Sequence, residues 1–189
     1  KDAGAMLLIE TDGTVQEARM AAERVAEILW RKGAKHVETA KSSEGAQNLW
    51  KARKALSPAL YTYGPDKINE DIVVPRSRLP EMAERIKLLG EKTGLTMVSF
   101  GHAGDGNIHF NIMYDSSRPE QKVAASQAVA EIFDYTLELG GTISGEHGVG
   151  IAKAPYMEKE INPDVLGLMK RIKAAFDPAG VLNPGKMRL

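Results

Sequence analysis

Cysteine is absent from this 189-residue chain, which removes disulfides, thiolate metal sites, iron–sulfur ligation and cysteine nucleophiles together. An excess of either charge is absent as well. Twenty-five Lys and Arg balance 25 Asp and Glu, so no global field favours nucleic acid or an anionic membrane, and any anionic partner must be met locally. No apolar run approaches the roughly 20 residues of a membrane span, and no basic-then-apolar signal opens the chain. There is no initiator methionine: Lys1–Ala3 runs almost directly into the strand-like AMLLIE, so the chain is expected to begin in mid-protein. A hydrophobic fraction of 43% excludes general disorder and suits a compact protein with a buried core. A cytoplasmic location fits these absences.

The hydrophobic period divides the chain into elements. Ala5–Glu10 reads as a strand, and Thr14 with Glu17 three positions on is a capping box for a helix whose apolar face is Val15, Ala18, Ala22, Val25 and Leu29. Gly33 ends it. His36–Ala40 reads as a second strand, and Ser43–Leu56 as a helix closed by Ser57-Pro58. Asp71–Val74 is a short β-branched strand, followed by a helix over about 79–92 that stops near Gly94. Leu95–Phe100 and Ile108–Tyr114 form a hairpin around the glycine-rich bend 101–107. A long helix over 119–139 places Val129, Ile132, Phe133 and Leu137 inward. Residues 142–153 read as a loop, 164–176 as a last helix, and DPAGVLNPGKM as a tail held to a fixed course by its breakers. This order predicts an α+β fold: an antiparallel, ferredoxin-like sheet with helices packed on one face and a helical C-terminal tail.

Three of the four histidines lie in two glycine-rich phrases, GHAGDGNIHFN and SGEHGVG. Glycine lets the first loop fold tightly and bring His102 and His109 toward one point. Two imidazoles and a carboxylate suit Zn, Mn or Fe(II) and leave positions open for a substrate. Glu146 is the natural third ligand, because its irregular loop needs a reason to hold one glutamate beside one histidine. His147 is then left as a base. Asp105, between glycines, reads as a turn former, and His36 as a plain strand residue. Neither glycine phrase has the strand-to-helix setting or the lysine-serine ending of a phosphate loop.

The phrases GHAGDGNIHFN, GGTISGEHGVG and FDPAGVLNPGK, in this order and with LWKAR ahead of them, resemble the C-terminal region of FAD-linked 2-hydroxy acid dehydrogenases and oxidases. This group of the vanillyl-alcohol oxidase superfamily includes the glycolate oxidase flavoprotein subunit, D-lactate dehydrogenase and D-2-hydroxyglutarate dehydrogenase. The resemblance implies that residues 1–189 are a substrate-binding or cap domain whose FAD is held mainly by an N-terminal domain not found in this chain. It makes His102, His109 and Glu146 the ligands of a divalent metal and His147 the base that takes the substrate hydroxyl proton. It also assigns Asn111 and Arg53 to substrate binding, Arg53 through the substrate carboxylate, and Asn183 to the flavin edge.

Two positions depart from the D-2-hydroxyglutarate relatives: Asn69 stands where they carry lysine, and Ser57 where they carry threonine. Without that cation a second, distal carboxylate is recognised less well, which favours a monocarboxylate of the glycolate or D-lactate type. The implied partners are a small 2-hydroxy acid, the FAD-binding domain and an unidentified electron acceptor, through which the protein would be peripheral to a membrane. Apolar surface facing a missing domain would also allow a homodimer. The alternatives are a free-standing metal- or carboxylate-binding module without redox activity, and a metal-dependent hydrolase using His147 as base.

Overall fold

Thr14 starts the first helix as its sequence announces. Its hydroxyl accepts the Glu17 N–H at 3.3 Å, and the Glu17 carboxylate accepts the Thr14 N–H at 2.9 Å, a closed capping box. In the computed structural model, which describes residues 3–188, helix α1 spans Val15–Arg31 and α2 spans Ser43–Ala59. Both belong to the first of two compact units, Lys1–Ala59 and Leu60–Leu189. Helix α2 outruns its expected end. Pro58 sits in its last turn, where the missing N–H removes a single bond, and the chain passes directly into a 3-10 turn at Leu60–Thr62. The strands expected at Ala5–Glu10 and His36–Ala40 do not form; both stretches are irregular. A strand-like stretch cannot make a strand without a neighbour to take up its N–H and C=O groups.

The second unit runs β1 (Asp66–Val73), α3 (Leu79–Thr93), β2 (Thr96–His102), β3 (Asn107–Tyr114), α4 (Pro119–Glu138), α5 (Met157–Glu160) and α6 (Pro163–Phe176). Its sheet has the order β1-β3-β2 with both pairings antiparallel. That is the α+β arrangement read from the sequence, a ferredoxin-like strand-helix-strand-strand-helix run. In such a motif a fourth strand follows the second helix and lies beside β1. Here it shrinks to one antiparallel bridge, in which Val73 and Thr142 exchange N–H···O bonds of 3.0 and 2.9 Å. The outer edge of β1 beyond that bridge is therefore left for a loop.

Alternation gives the sheet two unlike faces. Ile72, Ile108, Phe110 and Ile112 point to one side and pack with Met82, Ile86 and Leu89 of α3 and with Val129, Ile132 and Phe133 of α4. The other side carries Lys67, Asn69 and Asp71 of β1, Asn107, His109 and Asn111 of β3, and Phe100 and His102 of β2, set in rows by the strand register. This polar face explains why β1 starts five residues before its expected beginning at Asp71: Lys67 and Asn69 erase the apolar signal of a strand whose alternate residues face a site. In the tail, Asp177 accepts the N–H groups of Val181 and Leu182, each at 2.9 Å, and pairs with Lys173. The carboxyl is held below its usual range, first by the Lys173 ammonium.

Gly141 is where α4 meets the edge of β1. A Cβ there would lie 2.1 Å from the Val73 carbonyl oxygen, whereas a Cβ at Gly167 in α6 meets nothing closer than 3.8 Å. Gly141→Ala should lower unfolding stability by roughly 2 kcal/mol or more, and Gly167→Ala should raise it by about 0.5–1 kcal/mol, measured by urea denaturation.

Candidate metal centre

The hairpin between β2 and β3 supplies two candidate ligands from one face. His102 is the last residue of β2 and pairs with Asn107, while His109 pairs with Phe100, so the two imidazoles are diagonal neighbours. The turn between them is closed by N–H groups of Asp105 and Gly106 donating to the His102 carbonyl. Asp105 accepts the Asn107 N–H at 3.1 Å, the turn-forming part expected of it. Gly106 has φ 84° and lies against the Val74 carbonyl, where a Cβ would be 2.1 Å away. No other residue type fits that bend.

The Glu146 and His147 loop reaches this face from the open edge of β1, and one buried carboxylate holds it there. Asp71 is opposite His109 in the register and fully buried. Its Oδ2 accepts the backbone N–H groups of three successive residues, Gly145 at 2.8 Å, Glu146, and His147 at 3.1 Å. Its Oδ1 pairs with the ammonium of Lys153, which is itself buried and donates to the Asp71 carbonyl at 2.8 Å. Burial alone would push the Asp71 carboxyl up. The Lys153 ammonium and the Glu146 and His147 N–H groups more than reverse this, leaving it below the usual range. Glu70, 3.6 Å from the same ammonium, goes the other way: burial raises its carboxyl and Lys153 only partly offsets that. At Gly145 a Cβ would fall 2.9 Å from Asp71 Oδ2 and 2.7 Å from Asn107 Nδ2, so only glycine lets the loop come so near.

The loop brings Glu146 Oε1 to 3.0 Å from His109 Nε2 and 3.8 Å from His102 Nε2. Ligand atoms of His102, His109 and Glu146 all lie within 4.8 Å of one another, the grouping the sequence suggested. His109 is buried, and its imidazole is pushed below its ordinary range by that burial and then by His147, against the pull of Glu146. A ring kept neutral in this way has a lone pair ready for a cation. The set suits zinc, manganese or iron(II), and because His102 and Glu146 are about half exposed (55% and 51%), the centre opens to solvent on one side. His147 stacks on His109 with ring centroids 5.0 Å apart, and its Nε2 is 4.0 Å from Glu146 Oε1.

The remaining expected site residues are placed as follows. Asn111 is buried beside His109; its Oδ1 accepts from Asn69 at 2.9 Å and its Nδ2 donates to the Val98 carbonyl at 3.2 Å. Asn183 is exposed in the tail with φ 48°, and the tail is tied to the site loop by the Met187 N–H donating to the Gly150 carbonyl at 2.8 Å. Arg53 lies on α2 in the other unit and is partly buried. His36, expected within a strand, lies instead in an irregular stretch, 3.7 Å from Glu38. Sequence reasoning did not single out Asp71 or Lys153. One looked like a strand residue and the other like the end of a loop, and neither belongs to a local pattern that marks a buried pair.

Residues 1–187 match the protein family described as FAD linked oxidases, C-terminal domain. The glycolate oxidase subunit GlcD of Bacillus subtilis is 43% identical over 185 residues, covering 98% of this chain and 39% of that protein. The mitochondrial D-lactate dehydrogenase [cytochrome] of Arabidopsis thaliana is 36% identical over 183 residues, 96% of this chain and 32% of its own length. The D-2-hydroxyglutarate dehydrogenase of Stutzerimonas stutzeri is 36% identical over 150 residues, 77% of this chain and 32% of that protein. The chain thus spans between 32% and 39% of these relatives. In the solved structure of 4-ethylphenol oxidase from Gulosibacter chungangensis in its isoeugenol complex, the same fold recurs with a TM-score of 0.56 at 18% identity, covering 89% of this chain and 37% of that one. Among the described residues no helix is long and apolar enough to cross a membrane.

Replacing a ligand should be felt more than replacing its neighbour. In calorimetric zinc titrations, His102→Ala, His109→Ala and Glu146→Gln should each weaken binding beyond the roughly 10- to 100-fold typical of outer-shell changes, while His147→Asn stays within about threefold of the parent.

Proposed function

Since the chain belongs to the family of FAD-linked oxidase C-terminal domains, we propose that it forms the substrate- and metal-binding part of a flavoenzyme oxidising a small 2-hydroxy acid, of glycolate or D-lactate type, to the 2-oxo acid. The observation that carries this reading is the convergence of His102, His109 and Glu146 within 4.8 Å, with the His147 imidazole beside them. The donor set fits a divalent ion: two imidazoles, one of them kept neutral, and one carboxylate at an open mouth. The exposed amide of Asn183 fits an edge contact to a flavin and no more than that. A divalent ion held by His102, His109 and Glu146 supplies Lewis acidity toward the substrate oxygens, and FAD, held mainly by a separate domain, supplies the hydride acceptor.

The chain's own residues do the rest. His147 accepts the proton of the substrate 2-hydroxyl, which makes loss of the hydrogen on carbon 2 as hydride favourable. Asn111, next to His109 on the polar face, is assigned to substrate binding on its motif, as a buried amide beneath the His109 row. Arg53 is assigned to the substrate carboxylate on its motif and on the two-pronged geometry of a guanidinium. Discrimination against a diacid is assigned to Asn69. Its Oδ1 is buried and unpartnered among the described residues, and Lys67, two positions away, has its ammonium over the Tyr61 ring, 5.1 Å from the centroid. Reoxidation calls for an electron acceptor, with a quinone, a cytochrome or an electron-transfer flavoprotein as the candidate classes; a membrane quinone would bring the protein to a membrane surface.

In the full-length, flavin-loaded protein, His147→Asn should retain zinc and slow flavin reduction by about 10²- to 10⁴-fold in stopped-flow absorbance; an unchanged rate removes His147 from this role. Asn69→Lys should shift the ratio of kcat/KM for D-2-hydroxyglutarate over D-lactate upward by about tenfold or more.

A further inference from the structure

We propose that Asp71 is the positioning residue of His147: it takes the proton-bearing Nδ1 side of the ring and thereby turns the free lone pair of Nε2 toward the substrate space. This rests on the reading of His147 as the base. The geometry separates two tasks on one carboxylate. Oδ2 alone accepts the three backbone N–H groups that fix the loop, including that of His147 itself. Oδ1 would be superfluous to that anchoring, yet it faces Lys153 and lies 3.5 Å from His147 Nδ1. Main chain and ring of the same residue are thus referred to one buried group.

A neutral imidazole carries one N–H, and which nitrogen holds it follows from what each nitrogen faces. Nδ1 of His147 faces a carboxylate that is fully buried and kept anionic by a buried ammonium. Nε2 faces Glu146 Oε1 at 4.0 Å, but that side chain is half exposed and already 3.0 Å from His109 Nε2. Water and the other imidazoles weaken its claim, whereas the interior strengthens that of Asp71. The hydrogen therefore sits on Nδ1. That leaves the lone pair on Nε2, 4.0 Å from Glu146 Oε1 and so beside the group formed by His102, His109 and Glu146. When the substrate hydroxyl gives its proton to Nε2, the ring becomes a cation whose opposite edge already borders an anion.

Lys153 makes this possible. Its ammonium bonds the Asp71 carbonyl on the outer edge of β1, where a fourth strand would otherwise supply an N–H. It also supplies the positive charge that a buried carboxylate needs.

The test is the tautomer of His147, followed by 15N NMR in the 15N-histidine-labelled, zinc-loaded chain at about pH 8, where imidazoles are mostly neutral. The His147 signals are assigned by their loss in His147→Asn. One-bond N–H coupling should be found on Nδ1 and not on Nε2; the reverse pattern in the parent chain overturns the proposal without any change at Asp71. Asp71→Asn is paired with Lys153→Met so that the buried ammonium is not left with Glu70 as its one remaining carboxylate. The new amide can donate to Nδ1, so the coupling should move to Nε2. The full-length, flavin-loaded double variant should bind zinc at unchanged stoichiometry, keep KM within about threefold and reduce flavin about 10- to 100-fold more slowly. Wild-type reduction rates in the double variant, or loss of zinc, would leave Asp71 as a loop anchor only and overturn the proposal. His147→Asn with undiminished flavin reduction would instead sink the base reading while the tautomer result stands by itself.

Discussion

The buried carboxylate of Asp71 is the constraint on which the site depends. It joins three parts of the chain that are remote in sequence: strand β1, the glycine-rich loop 145–147 and Lys153. Two buried charges are costly to desolvate, and they persist because each is paired and hydrogen-bonded on several sides. Removing Lys153 leaves the Asp71 carboxylate without its cation, and removing Asp71 leaves the buried ammonium with Glu70 alone, 3.6 Å away. The arrangement therefore favours one placement of the loop over the many that a glycine-rich segment would otherwise sample.

The sheet makes that placement useful. Its apolar side is closed by α3 and α4, so the polar side chains of the candidate site are gathered on the opposite side, where the register puts Asp71, His109 and Phe100 in one row. The shortened fourth strand then has a direct consequence. A full strand beside β1 would occupy the edge that the loop and Lys153 now fill. The single Val73–Thr142 bridge starts the chain along that edge and then releases it, which carries Glu146 and His147 over the polar face.

Parts of this were legible residue by residue. The capping box at Thr14 and Glu17, the glycine stop after α3, the hairpin around 101–107 and the inward face of α4 are local devices, and each forms where the sequence places it. The strands expected at Ala5–Glu10 and His36–Ala40 were not, since residue type records a preference while pairing needs a partner strand. The early start of β1 was hidden for the opposite reason: Lys67, Asn69 and Asp71 are polar on the face that borders the site, and Asp66 and Glu70 add charge on the other. His102, His109 and Glu146 were recognisable by type and setting, and the fold brings them together.

Local patterns settle the elements, the α+β class and the inventory of the site: two imidazoles in a glycine-bound hairpin and a Glu-His pair in a second glycine loop. These follow from short-range rules of dihedral freedom, capping and periodicity, which act between residues a few positions apart. What holds that inventory in register comes from contacts between distant parts of the chain. The partners of Asp71 are 74 to 82 positions away along the chain, and no local pattern encodes a contact at that distance. Their meeting is a product of strand order, of the open edge beside β1, and of the need of a buried charge for a partner.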